Sequence, residues 1–168
     1  LARATSHDVL VAWQGLGYNR RGLALHTIAN KVINEHAGII PEDPDILVTF
    51  PAIGKATASS ICAFAFNKPT VFIETNIRAV FIHTFFNNDC DVSDKDLIPL
   101  IAQAVDHTAP RDWYYALMDY GVMLKKNFKN PSRKSKHHIK QSKFEGSDRQ
   151  IRGMIIKFLT NHKKATFD

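Results

Sequence analysis

The sequence has few cysteines and no long apolar run, and both shortages exclude whole classes of protein. Two cysteines, Cys62 and Cys90, among 168 residues are too few for a disulfide framework or a four-cysteine metal site. The longest apolar stretches, such as residues 61–66, are too short to cross a bilayer, and no signal peptide opens the chain. Because 45% of the residues are hydrophobic, a packed core is expected. We therefore predict a globular protein of a reducing, cytoplasmic compartment.

Acidic residues are missing from one long segment. Residues 125–143 hold eight of the 22 basic residues and no Asp or Glu, which leaves 14 basic against 16 acidic residues elsewhere. The formal charge of +6 therefore belongs to this part of residues 125–146, named here the basic connector. Such a concentration is typical of a polyanion-binding surface, and a solvated, extended linker is the alternative. His137 and His138 within it have no carboxylate or cysteine beside them and predict no metal site.

The remaining patterns predict an all-α fold with short loops. Residues 71–73 are the one strand-like run and are interpreted as a buried extended connector. Apolar residues recur at helical spacing in several segments, some of which begin at a capping residue or a proline. The predicted helices follow Ser6, Ser93 and Ser147 or span residues 23–33, 44–48 (with Asp43 as cap), 56–66, 75–86 and 111–124.

Residues 50–60, FPAIGKATASS, predict a tight turn between two helices. Pro51 fixes the entry, Gly54 is expected to supply a positive φ angle, and Thr57 to help satisfy the free amides of the new helix. Unpaired amides at a helix start attract anions, Lys55 adds a charge, and the small residues that follow allow close approach. The pattern indicates a phosphate clamp without sequence specificity, or else an ordinary corner between helices.

Four stretches agree in order and spacing with one known family. They are FPAIGKATA (50–58), WQGLGYNR (13–20), VFIETNIRAV (71–80) and ALMDYG (116–121). In that order, they resemble four motifs of helix-hairpin-helix DNA glycosylases: the hairpin, the Trp-x-Gly-Leu-Gly-Tyr-Tyr motif, the segment that carries the catalytic Asp, and the Met-Asp-Leu-Gly helix. Within this endonuclease III-like superfamily, the chain most resembles the A/G-specific adenine glycosylases. Residues 144–153 resemble the tail of a subgroup without an iron–sulfur cluster.

The resemblance implies two helical lobes with DNA bound across the cleft and the target nucleotide flipped out of the duplex. Residues 1–68 would form part of a six-helix barrel lobe, with the helix-hairpin-helix at about residues 45–66. Residues 69–168 would form the second lobe, with the basic connector in place of the cluster loop. The family's first helices, which carry a general acid for the adenine, would precede Leu1, so we expect a fragment or a chain without that acid.

Glu74 and Asn76 are the catalytic residues that the resemblance implies. Glu74 stands where the family has Asp and would stabilise the oxocarbenium-like sugar as the base leaves. Asn76 matches the family's Asn and would hydrogen-bond near the sugar or its phosphate. The alternative for Glu74 is an acid that only pairs with a helix start, since Glu is one methylene longer than Asp. Ala56 replaces the family's Schiff-base lysine, which implies a monofunctional hydrolase.

The resemblance also implies DNA contacts and ligands. Tyr18 matches an aromatic residue that wedges into the base stack. The cysteines that follow Gly121 in the family are replaced by the basic connector, so no iron–sulfur cluster or other cofactor is expected. A monovalent cation at the carbonyls of Phe50 and Ala52 is the one metal considered. The implied DNA-binding residues are Gln14, Tyr18, Asn19, Arg20, Arg21, Pro51, Ala52, Ile53, Gly54, Lys55, Ala56, Thr57, Arg78, Lys125 and Lys126.

These inferences predict a base-excision repair glycosylase that is monomeric and nucleoid-associated and binds no membrane. Its partner would be double-stranded DNA with a mispaired or damaged base, and adenine opposite oxidised guanine is the favoured substrate. Two alternatives stay open. The chain is a catalytically weak or silent helix-hairpin-helix DNA-binding module, or it removes mismatched thymine or uracil.

Overall fold

The computed structural model describes residues 1–86 and 91–162, in which the regular secondary structure is helical and no β-strand occurs. The predicted all-α fold is thus confirmed, and residues 71–73 lie in a connector without regular secondary structure, in which Phe72 is buried. Within the described ranges, no helix has the length and hydropathy that a membrane span requires. The helices are α1 (Ser6–Ala12), α2 (Asn19–Glu35), α3 (Pro44–Leu47), α4 (Lys55–Phe66), α5 (Thr75–Phe85), α6 (Asp94–Ala104), α7 (Pro110–Asn127), a 3₁₀ helix (Pro131–Lys134) and α8 (Asp148–Asn161).

Several helices begin at the predicted caps. Asp43 accepts a hydrogen bond from the amide of Asp45 at the start of α3, and Ser93 forms a capping box with the residue three positions on. The prediction of Ser6 as the first cap was wrong, because Thr5 caps α1. A capping box needs an acid three residues after the cap. Asp8 stands at that distance from Thr5, whereas a valine stands there for Ser6.

Two compact units divide the chain. One comprises Leu1–Pro41, Phe50–Ala52 and the chain from Lys140 onward, and the other comprises Glu42–Thr49 and Ile53–Ile139. The first unit contains α1, α2 and α8, and the second contains the remaining helices. In this division α4 groups with α5 to α7, and α8 groups with α1 and α2. The lobe boundary expected at residue 68 stays a prediction.

Helix α5 is the centre of the second unit. Five of its residues are buried, from Ile77 to Ile82, which is more than one face of a helix and is typical of an element covered on several sides. Helices α6 and α7 and the 3₁₀ helix all pack on it. The preceding connector is held by Phe72, whose ring lies 4.3 Å from that of the fully buried Tyr114. The connector that leads into α5 is therefore packed against α7.

Candidate functional site

The turn between α3 and α4 has a different backbone from the one expected. Gly54 has an extended conformation with φ −92°, so the prediction that it supplies the positive φ angle was wrong. Ala52 adopts that conformation instead, with φ 60°. A residue with a Cβ is strained there by about 1 kcal/mol. The chain thus turns at Ala52, and Gly54 is the extended N-cap residue of α4.

The start of α4 is exposed, and its first turn has no side-chain cap among the described residues. Gly54 is its N-cap, and no side chain in the described parts of the chain caps the first turn, so Thr57 does not have the capping role predicted for it. Of residues 51–57 only Ile53 is half-buried, and the others are exposed. A Cβ built on Gly54 would meet no atom within 4 Å. The free amides of a helix start and this open space form a surface that an anion can approach closely.

The carbonyls predicted to hold a cation lie just before this turn. The ring of Phe50 is buried, packs against His36 at a centroid distance of 5.4 Å, and has the Lys31 amine 5.2 Å from its centroid. The carbonyl oxygens of Phe50 and Ala52 accept no hydrogen bond from the described residues. Hard cations bind such oxygens, so the donors fit a cation, and the site stays a prediction.

Glu74 is the N-cap of α5, and its carboxylate turns back over the helix start. The backbone N–H of Asn76 donates to Glu74 Oε2 over 2.6 Å, and the side-chain amide of Asn76 donates to Oε1 over 3.3 Å. The capping role considered for Glu74 is therefore observed. The same two bonds fix the half-buried carboxylate in one orientation at the positive end of the helix.

Lys125 extends this pair into an array of three side chains. Its amine donates to Asn76 Oδ1 over 2.7 Å, so Asn76 is held from both sides. Burial lowers the pKa of the Lys125 amine, while the charge of Glu74 acts against that shift and Arg78 adds to it. Lys125 was predicted to contact DNA, but its amine is directed to Asn76. Lys126 next to it is exposed and is free of that constraint.

Arg78, another predicted DNA contact, forms an ion pair within the second unit. Its Nε and Nη2 donate to the two carboxylate oxygens of Asp94 over 3.0 and 2.9 Å. Such two-point pairing fixes the guanidinium plane. Sequence reasoning missed this contact, since nothing in the spacing of the two residues indicates that α5 and α6 meet there. Arg78 thus acts first as a structural residue, with three N–H donors remaining.

In the first unit, the loop before α2 displays Tyr18. The loop turns through Gly15 and Gly17, both with positive φ, and the Trp13 ring donates to the Gly17 carbonyl over 2.8 Å. Tyr18 follows with φ 48° and a side chain that is 54% exposed. Its hydroxyl accepts a hydrogen bond from Gln141 over 3.0 Å. An exposed aromatic ring on a braced loop is suited to stacking contacts.

The other predicted contacts of this unit differ in accessibility. Arg20 and Arg21 are exposed in the first turn of α2, and Asn19 is half-buried. The side-chain amide of Gln14 donates to the hydroxyl of Thr160 on α8. Sequence reasoning gave no role to Thr160, because no motif links positions so far apart in the chain.

Side-chain clusters of the kind that hold a metal ion are not found in the parts of the chain that the structure describes. Among residues 1–86 and 91–162, no cluster of three or more His, Cys, Asp or Glu side chains could hold a metal ion. The buried Cys62 thiol donates to the carbonyl of Glu42 over 3.2 Å, and burial raises the pKa of that thiol. Cys90 lies outside the described residues. The lack of an iron–sulfur cluster stays a prediction.

Comparison with solved structures and curated sequences relates this fold to known proteins. A thermostable thymine-DNA glycosylase superposes with a TM-score of 0.62 over 77% of this chain and 61% of that one, at 22% identity. The adenine DNA glycosylase of Mycobacterium tuberculosis is 32% identical over 126 residues, which are 73% of this chain and 41% of that protein. The chain is a homologue of adenine DNA glycosylases and has the fold of helix-hairpin-helix DNA glycosylases. The adenine DNA glycosylase of Homo sapiens is 31% identical to this glycosylase homologue over 128 residues, 74% of the chain and 23% of that protein.

The glycosylase homologue matches only part of these proteins. It spans about two fifths of the length of the Mycobacterium tuberculosis relative. A structure of a trapped endonuclease III–DNA covalent intermediate superposes with a TM-score of 0.55 over 73% of this chain, at 18% identity. No protein-family profile matches the chain.

Proposed function

We propose that this chain carries the catalytic part of a monofunctional DNA N-glycosylase of base-excision repair. Such an enzyme hydrolyses the N-glycosidic bond of a flipped, mispaired base, and adenine opposite oxidised guanine is the substrate that we favour. The observation that carries the proposal is the open space at Gly54. A Cβ built on Gly54 meets nothing within 4 Å, so a partner can approach the free amides at the start of α4 closely.

The proposed partner at this surface is a phosphate of double-stranded DNA. The amides of Lys55, Ala56 and Thr57 lie in the first turn of α4 and would donate to the phosphate oxygens, with the Lys55 amine beside them. These contacts carry no sequence information, so they would fix the position of the strand rather than select a base. We further propose that exposed Tyr18 stacks in the duplex, with Arg20 and Arg21 at neighbouring phosphates.

The chemistry is assigned to Glu74. As the bond between the sugar C1′ and the base nitrogen breaks, positive charge develops on the sugar, and a fixed carboxylate stabilises it without reorganisation. Water then adds its hydroxyl to C1′ while its other proton balances the one that the departing base nitrogen takes up, which leaves an abasic site and the free base. Asn76 fixes the carboxylate by two hydrogen bonds, and Lys125 fixes Asn76. Lys125 is therefore a positioning residue, and no iron–sulfur cluster takes part.

A panel of duplexes tests this function. Full-length protein is incubated with duplexes that hold adenine opposite 8-oxoguanine, adenine opposite guanine, thymine opposite guanine or uracil opposite guanine, and alkali-labile strand breaks are measured. We expect breaks in the adenine strand opposite 8-oxoguanine at the highest rate. Preferred cleavage at thymine or uracil would keep the enzyme class and change the substrate. No break in any duplex would contradict the proposed activity.

A silent DNA-binding module is the second candidate, and one observation favours it. The Glu74 carboxylate already accepts two hydrogen bonds as a helix cap, which is a sufficient structural reason for an acid at that position. This candidate predicts salt-dependent binding to duplex DNA that Gly54→Ala weakens, together with no abasic-site formation. The duplex panel therefore separates the two candidates.

A further inference from the structure

The second unit contains a cavity that the assignments above leave unused. It has a volume of about 240 Å³ and lies between the start of α5 and the segment around the 3₁₀ helix. Its polar lining side chains all carry hydrogen-bond donors, of which the Ser132 hydroxyl already donates to Asn130 of the same lining. No carboxylate of the described residues lines the cavity. The lining residues are Thr75, Arg78, Asn130, Ser132, His137, His138 and Ile139.

The wall formed by the basic connector is fixed by a network of local hydrogen bonds. Asn130 Oδ1 accepts from both the amide and the hydroxyl of the buried Ser132, over 3.0 and 2.7 Å. These bonds use the oxygen of Asn130 and leave its NH₂ group as a donor. The amide of His137 donates to Ser135 Oγ over 3.1 Å, and that of His138 to the Ser135 carbonyl over 3.0 Å. The backbone of both histidines is therefore held beside α5.

This wall is also tied to the segment before α6. The Val92 amide donates to the Lys134 carbonyl, and the Val92 carbonyl accepts from the Lys136 amide, both over 3.0 Å. Since Val92 and Ser135 are both buried, the two-way pairing anchors the connector at its middle. The cavity is thus part of the folded unit rather than a gap beside a loose linker.

The charges around the cavity favour an anion. Asp94 is the acid that contacts a lining residue, and both its oxygens are bound to Arg78. Three guanidinium N–H groups of Arg78 remain for other acceptors. Glu74 precedes Thr75 in the chain, but its carboxylate is bound to Asn76. The exposed Lys136 adjoins the two histidines in sequence. A ligand here meets donors and no competing carboxylate on the wall.

We propose that this cavity binds one phosphate group of the DNA backbone, which rests on the proposed function. Its volume is below the 300–1,000 Å³ of typical small-molecule sites, so a compact anion fits better than a nucleobase. Thr75 directly follows Glu74, so the bound phosphate would lie close along the strand to the sugar presented for hydrolysis. Histidines 137 and 138 would thus give the basic connector a defined contact, separate from the one at α4.

A thermodynamic cycle between protein and DNA tests the proposal. Binding of full-length protein is measured by fluorescence anisotropy on duplexes with a tetrahydrofuran abasic analogue, in which single phosphates are replaced in turn by uncharged methylphosphonate. Replacement should weaken wild-type binding at each contacted phosphate, and we expect one such position, with a loss of about tenfold, to depend on the cavity. On unmodified DNA, the double variant His137→Ala/His138→Ala should bind more weakly than wild type by the same factor. Replacing the phosphate at that position should then weaken the binding of the double variant no further.

Matched variants separate a site from general charge. Thr75→Ala removes a donor from the opposite wall and should show coupling to the same phosphate. Lys136→Ala removes an exposed charge outside the cavity and should weaken binding to every duplex by one common factor. Melting temperatures within about 2 °C of wild type would show that the variants are folded.

Two results would overturn the proposal. One is that the histidine variants and the methylphosphonates act additively at every position. The other is that millimolar inorganic phosphate shifts the amide resonances of Thr75 and Arg78 in wild type while no DNA position couples, which would assign the cavity to free phosphate. The cycle measures binding alone. It can therefore fail while abasic-site formation persists, and it can succeed in a protein without activity.

Discussion

Gly121 of α7 lies directly against the backbone of Asn76 of α5. A Cβ built on Gly121 would be 2.5 Å from the Asn76 carbonyl oxygen and 2.7 Å from its Cβ. Real atoms do not approach so closely, so the missing side chain sets the distance between the two helices. Lys125, about one turn later on α7, can therefore reach Asn76 Oδ1. The glycine of the ALMDYG motif thus shapes the proposed site without contacting a ligand.

Gly121→Ala should destabilise the protein. Because the new methyl group would overlap backbone atoms of α5, we expect the free energy of unfolding to fall by about 1–3 kcal/mol. Gly153→Ala is the matched control, since a Cβ there meets nothing within 4 Å. In the helix α8 this second change should raise stability by up to about 1 kcal/mol. Urea unfolding measures both, and equal effects of the two changes would contradict the steric explanation.

The turn before α4 offers a second matched pair of variants. Gly54→Ala places a methyl group in open space at a negative φ angle, so stability should fall only by the cost of an alanine N-cap, about 1 kcal/mol. DNA affinity should nevertheless fall at least tenfold, because the methyl group occupies the space assigned to a phosphate. Ala52→Gly relieves the positive φ angle and should raise stability by about 1 kcal/mol.

Thermal unfolding and anisotropy with one duplex measure both quantities for each variant. Should Gly54→Ala bind DNA as wild type does, the phosphate contact at α4 would have to be abandoned.

Tyr114 makes the stability of the second unit sensitive to alkali. Its buried hydroxyl donates to the carbonyl of Thr70 over 2.8 Å, and burial raises its pKa from 10.0 to about 12. The folded state thus holds the proton more tightly than the unfolded state. This contribution is complete below pH 10 and is lost as the pH rises to about 12. The loss is at most about 3 kcal/mol.

Tyr114→Phe should remove this loss between pH 10 and 12, at a cost of about 1 kcal/mol at neutral pH. Tyr115→Phe is the control, because Tyr115 is half exposed and its change should leave the alkaline loss intact. Urea unfolding at several pH values measures both. An unchanged alkaline profile in Tyr114→Phe would show that another group is responsible.

Lys125→Met and Lys126→Met should separate catalysis from binding. Lys125 holds Asn76, so its loss should slow abasic-site formation about 10–100-fold with DNA affinity nearly unchanged. The exposed Lys126 should show the reverse, with weaker, salt-sensitive binding and an unchanged single-turnover rate. Single-turnover kinetics and anisotropy give the two quantities. The positioning role of Lys125 fails if both variants affect only binding.

The sequence predicted what is local along the chain. Asp43 and Ser93 are caps whose partners lie two or three residues away, and the four motifs each stay within about ten residues. Short-range geometry determines such features, so spacing is sufficient to find them. Thr5 was missed because two neighbouring hydroxyls compete, and only the acid three residues beyond Thr5 decides between them.

Contacts between distant segments could not be predicted in this way. Arg78 and Lys125 are basic residues that would ordinarily point to solvent, but Asp94 and Asn76 bind them once the helices pack. The positive φ angle of Ala52 was also missed, although it is a local feature. Glycine is the residue that favours this conformation, so the rule pointed to Gly54.

The rate of abasic-site formation by Glu74→Gln, compared with wild type under single-turnover conditions, tests the central claim most directly. The amide keeps an acceptor oxygen for the Asn76 N–H but removes the charge. On a duplex with adenine opposite 8-oxoguanine, we predict a rate at least about 100-fold lower, with DNA affinity within about twofold. A variant that cleaves as fast as wild type would show that Glu74 only caps its helix and that another group performs the chemistry.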